Sequence, residues 1–502
     1  MAQGIEMKNN RLMANTFTSI LLQICIVLNG FILPRIIMMA YGSEVNGLIN
    51  SINQFLHIIT FIEFGIGAVV QSALYKPLTQ NNIAQINCIM TSAQKFFNKT
   101  GGIIGIYVVI LIFLYPQVTD NSFGNMYSSS LVLVMSISLF AQYYFGIVDQ
   151  MLLIADQKGY IYYSVQIASV MLNIAASTAL IMGGASIQVV KLVTSSIFLL
   201  RPIIVRIYVR RHYSIDRHAL YTVEPIPQKW NGIAQHISSV IIDNTDTIVL
   251  TLFATLKAVS IYSVYHLVVY GIKSIFPPMT SGVQALLGRL WAINSGDIKP
   301  TFEYFEWILN NLVIITFGCT GFLILPFVSV YTLGIDDANY YQPIFSVIIV
   351  VAHAIHCLRL PYHVMIKAAG KYKETQSCYI MASIINLVVS IVAVNSWGLI
   401  GVAIGTLIAM LYQTIWMSIY TSRDLIKRPL VKLLKQISID MCITIIAIAF
   451  SCKVEMTEIS YISWLFMAFK IFAIWVAVAI MVNSLFYRVY IKRLLNKMLR
   501  HS

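Results

Sequence analysis

Charged residues are scarce in this chain. Asp, Glu, Lys and Arg make up only 11% of the 502 residues, whereas 58% are hydrophobic and the mean hydropathy is +0.77. A soluble domain of ordinary composition has about 25% charged residues. So few charges cannot cover a surface that faces water. In addition, apolar runs of about 20 residues, long enough to span a bilayer as a helix, recur from end to end. The composition therefore predicts an all-α integral membrane protein.

Motifs for metal, nucleotide and catalytic chemistry are also absent. The cysteines form no CxxC or Cys/His spacing, and most of them lie inside apolar runs, where they pack as small apolar residues. No Walker, Gly-rich or DxD motif occurs in the polar segments, and the predicted outer loops are too short for an extracellular catalytic domain. We therefore expect no metal, no nucleotide cofactor and no enzymatic activity.

The positive charge lies in the loops between apolar runs. The net charge is +14, but no basic run is interleaved with aromatic residues as a nucleic-acid surface requires, so no nucleic-acid partner is expected. With the N-terminus inside, 26 of the 34 Lys and Arg fall in inner segments, and only Arg35, Lys257 and Lys453 fall in outer ones. This bias predicts that both termini are cytoplasmic. It also supports fourteen spans, at about 13–38, 46–72, 99–117, 128–154, 161–182, 186–208, 231–254, 258–287, 304–328, 342–367, 375–396, 399–420, 433–452 and 461–486.

Two sequence segments resemble a known family of carriers. They are "YGSEVNGLINSINQFLHIITFIEFGIGAVVQSALYKPL" at 41–78 and "NTDTIVLTLFATLKAVSIYSVYHLV" at 245–269. Both are similar to the polysaccharide transporter family, which belongs to the superfamily that also contains the multidrug-and-toxin (MATE) extruders. The resemblance implies two six-helix bundles around a central cavity, at 1–225 and 226–428, joined by the basic linker 206–229. Two extra helices and a basic tail, at 429–502, are similar to the lipid II flippase branch.

The same resemblance implies a function. The cargo would be an undecaprenyl-pyrophosphate-linked oligosaccharide, moved across the bacterial plasma membrane by alternating access for capsule, exopolysaccharide or surface-glycan export. Expected partners are this lipid-linked glycan and the membrane lipids, and the resemblance leaves room for a polysaccharide polymerase. Two alternatives stay open: a multidrug extruder of the same superfamily and a lipid II-type flippase. No cofactor is expected, and coupling to H⁺ or Na⁺ stays open.

A pyrophosphate cargo requires cations at membrane depth. Lys273 lies near the middle of the eighth span, just before Pro277 and Pro278, which should interrupt the helix and are a candidate hinge. His356 and Arg359 are three residues apart in the tenth span and therefore share a helix face. We predict that these three polar residues contact substrate. An interhelical salt bridge is the competing interpretation for Lys273.

Polar residues also follow one face of the second span. Asn46, Asn50, Asn53 and His57 are spaced i, i+4, i+7 and i+11, and we predict that Asn53 and His57 contact sugar. An interhelical hydrogen-bond seam is the competing interpretation.

Three acidic residues in the spans are candidates for ion coupling. They are Glu63 in the second span and Asp243 and Asp246 in the seventh. The two aspartates could instead neutralise Lys273.

One further site is predicted at the outer end of the first span, in the segment "GFILPRII". Gly30 and Pro34 are a candidate hinge, because a proline interrupts helix hydrogen bonding and the first helix of the resembled family bends during transport. Arg35 is a candidate cation where the pyrophosphate would leave, or a side chain that snorkels to the headgroups. Lys191, Arg201 and Lys470 are weaker candidates, since each is predicted nearer to an interface.

Overall fold

A computed structural model describes residues 2–58, 66–119, 123–217, 219–221, 224–226, 233–293 and 295–499. Within them the chain forms α-helices and no β-strand, as predicted. The N-terminal helices are α1 (Ala2–Tyr41), α2 (Ser43–Ile58), α3 (Ile66–Thr79), α4 (Ile83–Val118), α5 (Asn125–Ala141), α6 (Ile147–Ala155), α7 (Gly159–Met182), α8 (Ile187–His212) and α9 (Ile233–Phe253). A π-helical segment, Gln142–Gly146, joins α5 to α6 without a break.

The second half of the chain is also built of helices. They are α10 (Leu256–Lys273), α11 (Phe276–Ala292), α12 (Ile298–Tyr331), α13 (Pro343–Leu358), α14 (Leu360–Ala368), α15 (Tyr372–Trp397), α16 (Leu399–Tyr420), α17 (Leu430–Ser451), α18 (Tyr461–Phe486) and α19 (Arg488–Leu499). A second π-helical segment, Thr421–Leu425, extends α16.

Twelve candidate membrane spans in the described residues are long and apolar enough to cross a bilayer. The two predicted spans outside this group are the second and the seventh, which correspond to α2 with α3 and to α9. Both contain polar residues singled out above, and polar residues inside a membrane usually face the interior of a helix bundle or a water-filled cavity. The chain is a multi-pass membrane protein with about fourteen spanning helices.

Contacts divide the chain into two compact units, residues 1–260 and 261–502. The predicted boundaries near 225 and 428 stay predictions.

The sequence motif Tyr-Gly-Ser-Glu-Val-Asn-Gly forms the short turn between α1 and α2 and the closely packed start of α2. α1 ends at Tyr41, and the next residue, Gly42, has a φ of +87°. Glycine suits this position because an L side chain rarely adopts such a conformation. Glu44 lies in the first turn of α2 and pairs with Lys257 at 3.8 Å. Gly47 is buried, and a Cβ atom there would lie 1.8 Å from the carbonyl oxygen of Leu256. The motif therefore lets the backbones of α2 and of the start of α10 approach more closely than any side chain allows.

The predicted C-terminal pair of helices packs inside the second unit. α17 and α18 bury an apolar cluster against α12, with Trp475 at its centre. The Trp475 indole donates a hydrogen bond to Ser451 at 3.1 Å, and its ring lies where a Cβ atom on Gly318 would be 2.1 Å away. The extra helices are therefore fixed to α12 by a close glycine–tryptophan contact.

Candidate functional site: a polar cavity in the N-terminal unit

A cavity of about 560 Å³ lies within the N-terminal unit. Its wall comes from α1, α2, the continuous α5–π–α6 helix, α7 and α8. A cavity of this size is in the range that holds a drug-sized ligand. Its position inside one helix bundle makes it the main candidate site of this unit.

The polar face predicted on α2 forms one wall of the cavity. Asn46, Asn50, Asn53 and His57 all line it. Asn46 donates a hydrogen bond to Ser260 at 2.8 Å, and Asn50 donates one to the backbone of Asn46 at 2.9 Å. The face is therefore partly a hydrogen-bond seam and partly a cavity wall, and contact of Asn53 and His57 with sugar stays a prediction.

The opposite face of α2 is tied into the unit by hydroxyl groups. Tyr115 donates a hydrogen bond to Ser51 at 2.8 Å, and Thr251 donates one to the same oxygen at 2.8 Å. All three residues are buried. This network holds α2 against α4 and α9, so its polar face stays directed at the cavity.

The lining is rich in amides and hydroxyls, and no acidic residue is among the described residues that form it. The amide side chains are Asn29, Asn46, Asn50, Asn53, Gln142, Gln150, Gln166 and Asn173. The hydroxyl side chains are Ser138, Tyr162, Ser177, Thr194 and Ser195. Amides and hydroxyls both donate and accept hydrogen bonds, as sugar hydroxyls do. The wall is therefore chemically suited to a glycan.

Two cations on α8 complete the lining. Lys191 and Arg201 both face the cavity, although the sequence placed them nearer to interfaces and ranked them low. The guanidinium of Arg201 stacks on the Phe198 ring at 3.9 Å, and its Nε has no hydrogen-bond partner among the described residues. The polar face Lys191–Thr194–Ser195 in an otherwise apolar helix is the signal that could have identified them.

Hydrogen bonds between helices hold this wall together. Asn173 donates to Asn29 at 3.3 Å, and Ser177 shares a hydrogen bond of 3.2 Å with Thr194. These contacts join α7 to α1 and to α8. The polar wall is therefore preformed.

A second polar cluster lies in the C-terminal unit, where α13 and α14 meet. Arg359 is 7% exposed and contacts the side chains of Gln413 and His356. The Arg359 Nε and the Gln413 Nε2 are buried without a hydrogen-bond partner among the described residues. Lys273 acts electrostatically on His356, so it belongs to the same cluster. The structure thus brings together the three residues that the sequence selected in this half.

The other predicted site residues are placed differently. Asp246 is 5% exposed, whereas Asp243 is exposed, and neither lines the described cavity. Arg35 is half-buried and also lies outside the lining. Glu63 lies outside the described residues. Their roles in coupling and in substrate release stay predictions.

The candidate hinge residues fall into two groups. Gly30 and Pro34 line the cavity, and α1 continues through Pro34. Pro277 and Pro278 begin α11 after a break between Lys273 and Phe276. The predicted interruption after Lys273 is therefore present, and the hinge function stays a prediction at both places. Among the described residues, no group of His, Cys, Asp and Glu is arranged to hold a metal ion.

Comparison with solved structures assigns the fold. The helices follow the arrangement of transporters of the MOP superfamily, to which the resembled family was expected to belong. The structure of "Lipid II flippase MurJ, inward closed conformation" matches with a TM-score of 0.71 at 13% identity, covering 95% of this chain and 100% of that one. An inward-facing multidrug resistance MATE transporter matches with a TM-score of 0.60 at 13% identity, covering 79% of this chain and 95% of that one.

The MATE fold matches in another state as well. An outward-facing MATE structure gives a TM-score of 0.53 at 13% identity, covering 82% of this chain and 96% of that one. No protein-family model and no curated protein sequence matches the chain. These matches confirm the predicted MATE-like fold.

Proposed function

We propose that this protein is a flippase that moves a polyprenyl-pyrophosphate-linked oligosaccharide across the bacterial plasma membrane by alternating access. The observation that supports it is the lining of the N-terminal cavity, which combines amides, hydroxyls, Lys191 and Arg201 and has no acidic residue among those that the structure describes. The hydroxyl-rich sugars require hydrogen-bonding partners, and the pyrophosphate requires cations. The fold supports the proposal, because one solved structure that shares it is a lipid II flippase.

A multidrug extruder is the second candidate, because MATE transporters share the fold. Cationic drugs favour an acidic cavity, since a buried cation needs a compensating charge. No acidic residue lines the cavity with Lys191 and Arg201 in the described part of the chain, which disfavours such a cargo.

The test compares both cargoes in one preparation. The protein is reconstituted in liposomes with a labelled polyprenyl-pyrophosphate oligosaccharide, and exposure of the label on the far leaflet is measured. A cationic dye in parallel liposomes reports drug transport. We expect glycan exposure above that in protein-free liposomes and no dye transport. Dye transport without glycan exposure would establish the extruder instead. Proton and sodium gradients, imposed separately, identify the coupling ion.

A further inference from the structure

The two cavity cations both lie on α8, far apart along the helix axis. Lys191 and Arg201 are ten residues apart, which corresponds to about 15 Å along a helix axis. The hydroxyls of Thr194 and Ser195 line the cavity between them. The positive charge of the cavity is therefore distributed over two points rather than concentrated in one.

Neither cation has an acidic partner in the cavity among the residues that the structure describes. The lining includes no Asp or Glu, and no ion pair to Lys191 or Arg201 occurs in the described part of the chain. Cations at membrane depth are costly unless a counter-charge compensates them. A bound ligand with negative charge at both points would supply that compensation.

The wall between the two cations is neutral and polar. Asn50 and Asn53 on α2 and Gln166 and Asn173 on α7 all line the cavity. Such a wall suits the uncharged hydroxyls of a sugar chain. A pyrophosphate is a compact group, whereas the backbone positions of Lys191 and Arg201 are about 15 Å apart along the helix, so a ligand that extends along this wall would meet the two cations at different points.

We propose that the glycan of the cargo is itself acidic, with a carboxylate that Lys191 binds while Arg201 binds the pyrophosphate. The planar guanidinium suits bidentate contact with phosphate oxygens, and the lysine ammonium acts as a point charge for the carboxylate. This inference rests on the proposed flippase function and specifies its substrate class as acidic, lipid-linked oligosaccharides. Lys191 is then a specificity-determining residue.

The test uses two lipid-linked probes that differ in one group. Both have the same polyprenyl pyrophosphate and the same oligosaccharide, which ends in glucose in one probe and in glucuronic acid in the other. In proteoliposomes, the wild type should expose the acidic probe on the far leaflet about tenfold faster than the neutral probe. The neutral probe lacks one charge-assisted hydrogen bond, to Lys191, and a bond of this kind accounts for a difference of about that size. Lys191→Gln should abolish this preference by lowering the rate of the acidic probe more than that of the neutral probe, and Lys191→Arg should retain the preference.

Lys470→Gln is the matched control. This lysine also lies within a span, in α18, but its side chain is exposed and outside the cavity, so the preference should persist. Equal wild-type rates for the two probes would overturn the inference while leaving the flippase function intact. An equal loss for both probes in Lys191→Gln, with an unchanged unfolding temperature, would assign Lys191 to the pyrophosphate and also overturn it. If neither probe crosses, the proposed function fails and this inference fails with it.

Discussion

Replacing Gly47 by alanine tests how closely α2 must approach the start of α10. The added Cβ would lie 1.8 Å from the carbonyl oxygen of Leu256 and 2.7 Å from its carbonyl carbon, whereas ordinary van der Waals contact begins at 3.4 Å. One backbone would have to move by about 1.5 Å, since a carbonyl group cannot rotate away as a side chain does. We expect the free energy of unfolding to fall by about 3 kcal/mol, which is at the upper end of the usual cost of overpacking.

Thermal unfolding of the purified protein in detergent measures this effect, and Gly102→Ala is the control. Gly102 lies within α4, with no atom within 4 Å of its hypothetical Cβ. Alanine there should be neutral or should stabilise the helix by up to about 1 kcal/mol. Gly47→Ala should also slow transport, because Asn46 and Asn50 would move with α2. Equal unfolding temperatures for the two variants would refute the close approach of α2 to Leu256.

Two further predictions concern the C-terminal unit. Glu306→Gln should lower the stability of the folded protein by about 3 kcal/mol, because it leaves the guanidinium of Arg428 buried without its carboxylate. The unfolding temperature measures this loss. An unchanged temperature would mean that the pair does not stabilise the unit. Gly318→Ala should displace Trp475 and quench or shift tryptophan fluorescence. Gly321→Ala on the same helix is the control, because a Cβ atom there would have its nearest neighbour 4.0 Å away, and it should change neither fluorescence nor stability. Identical spectra for both alanine variants would contradict the packing of α18 on α12.

The sequence predicted those features that depend on local spacing. The polar face of α2 could be recognised because Asn46, Asn50, Asn53 and His57 recur at helical intervals, and the helix break before Pro277 follows from the chemistry of proline. The spans follow from apolar runs that are long enough to cross a bilayer.

Other features depend on contacts between distant residues. Lys191 and Arg201 were ranked low because span boundaries from sequence are uncertain by several residues, and that uncertainty decides whether a cation is at an interface or in a cavity. The pair of Glu306 and Arg428 joins residues 122 positions apart, and no local pattern marks such a pair. The role of Gly47 is likewise visible only once Leu256 is placed beside it.

The central claim is that the glycan occupies the N-terminal cavity during transport, and filling the cavity tests it most directly. Ser195 lines the cavity and is 3% exposed, whereas its neighbour Ser196 is exposed and lies outside the lining. Ser195→Trp and Ser196→Trp therefore add the same side chain to the same turn of α8, on different faces. Far-leaflet exposure of labelled lipid-linked glycan is measured for both variants in proteoliposomes, after equal unfolding temperatures establish that both are folded. The account predicts that Ser195→Trp abolishes exposure and Ser196→Trp retains it; equal rates would contradict it.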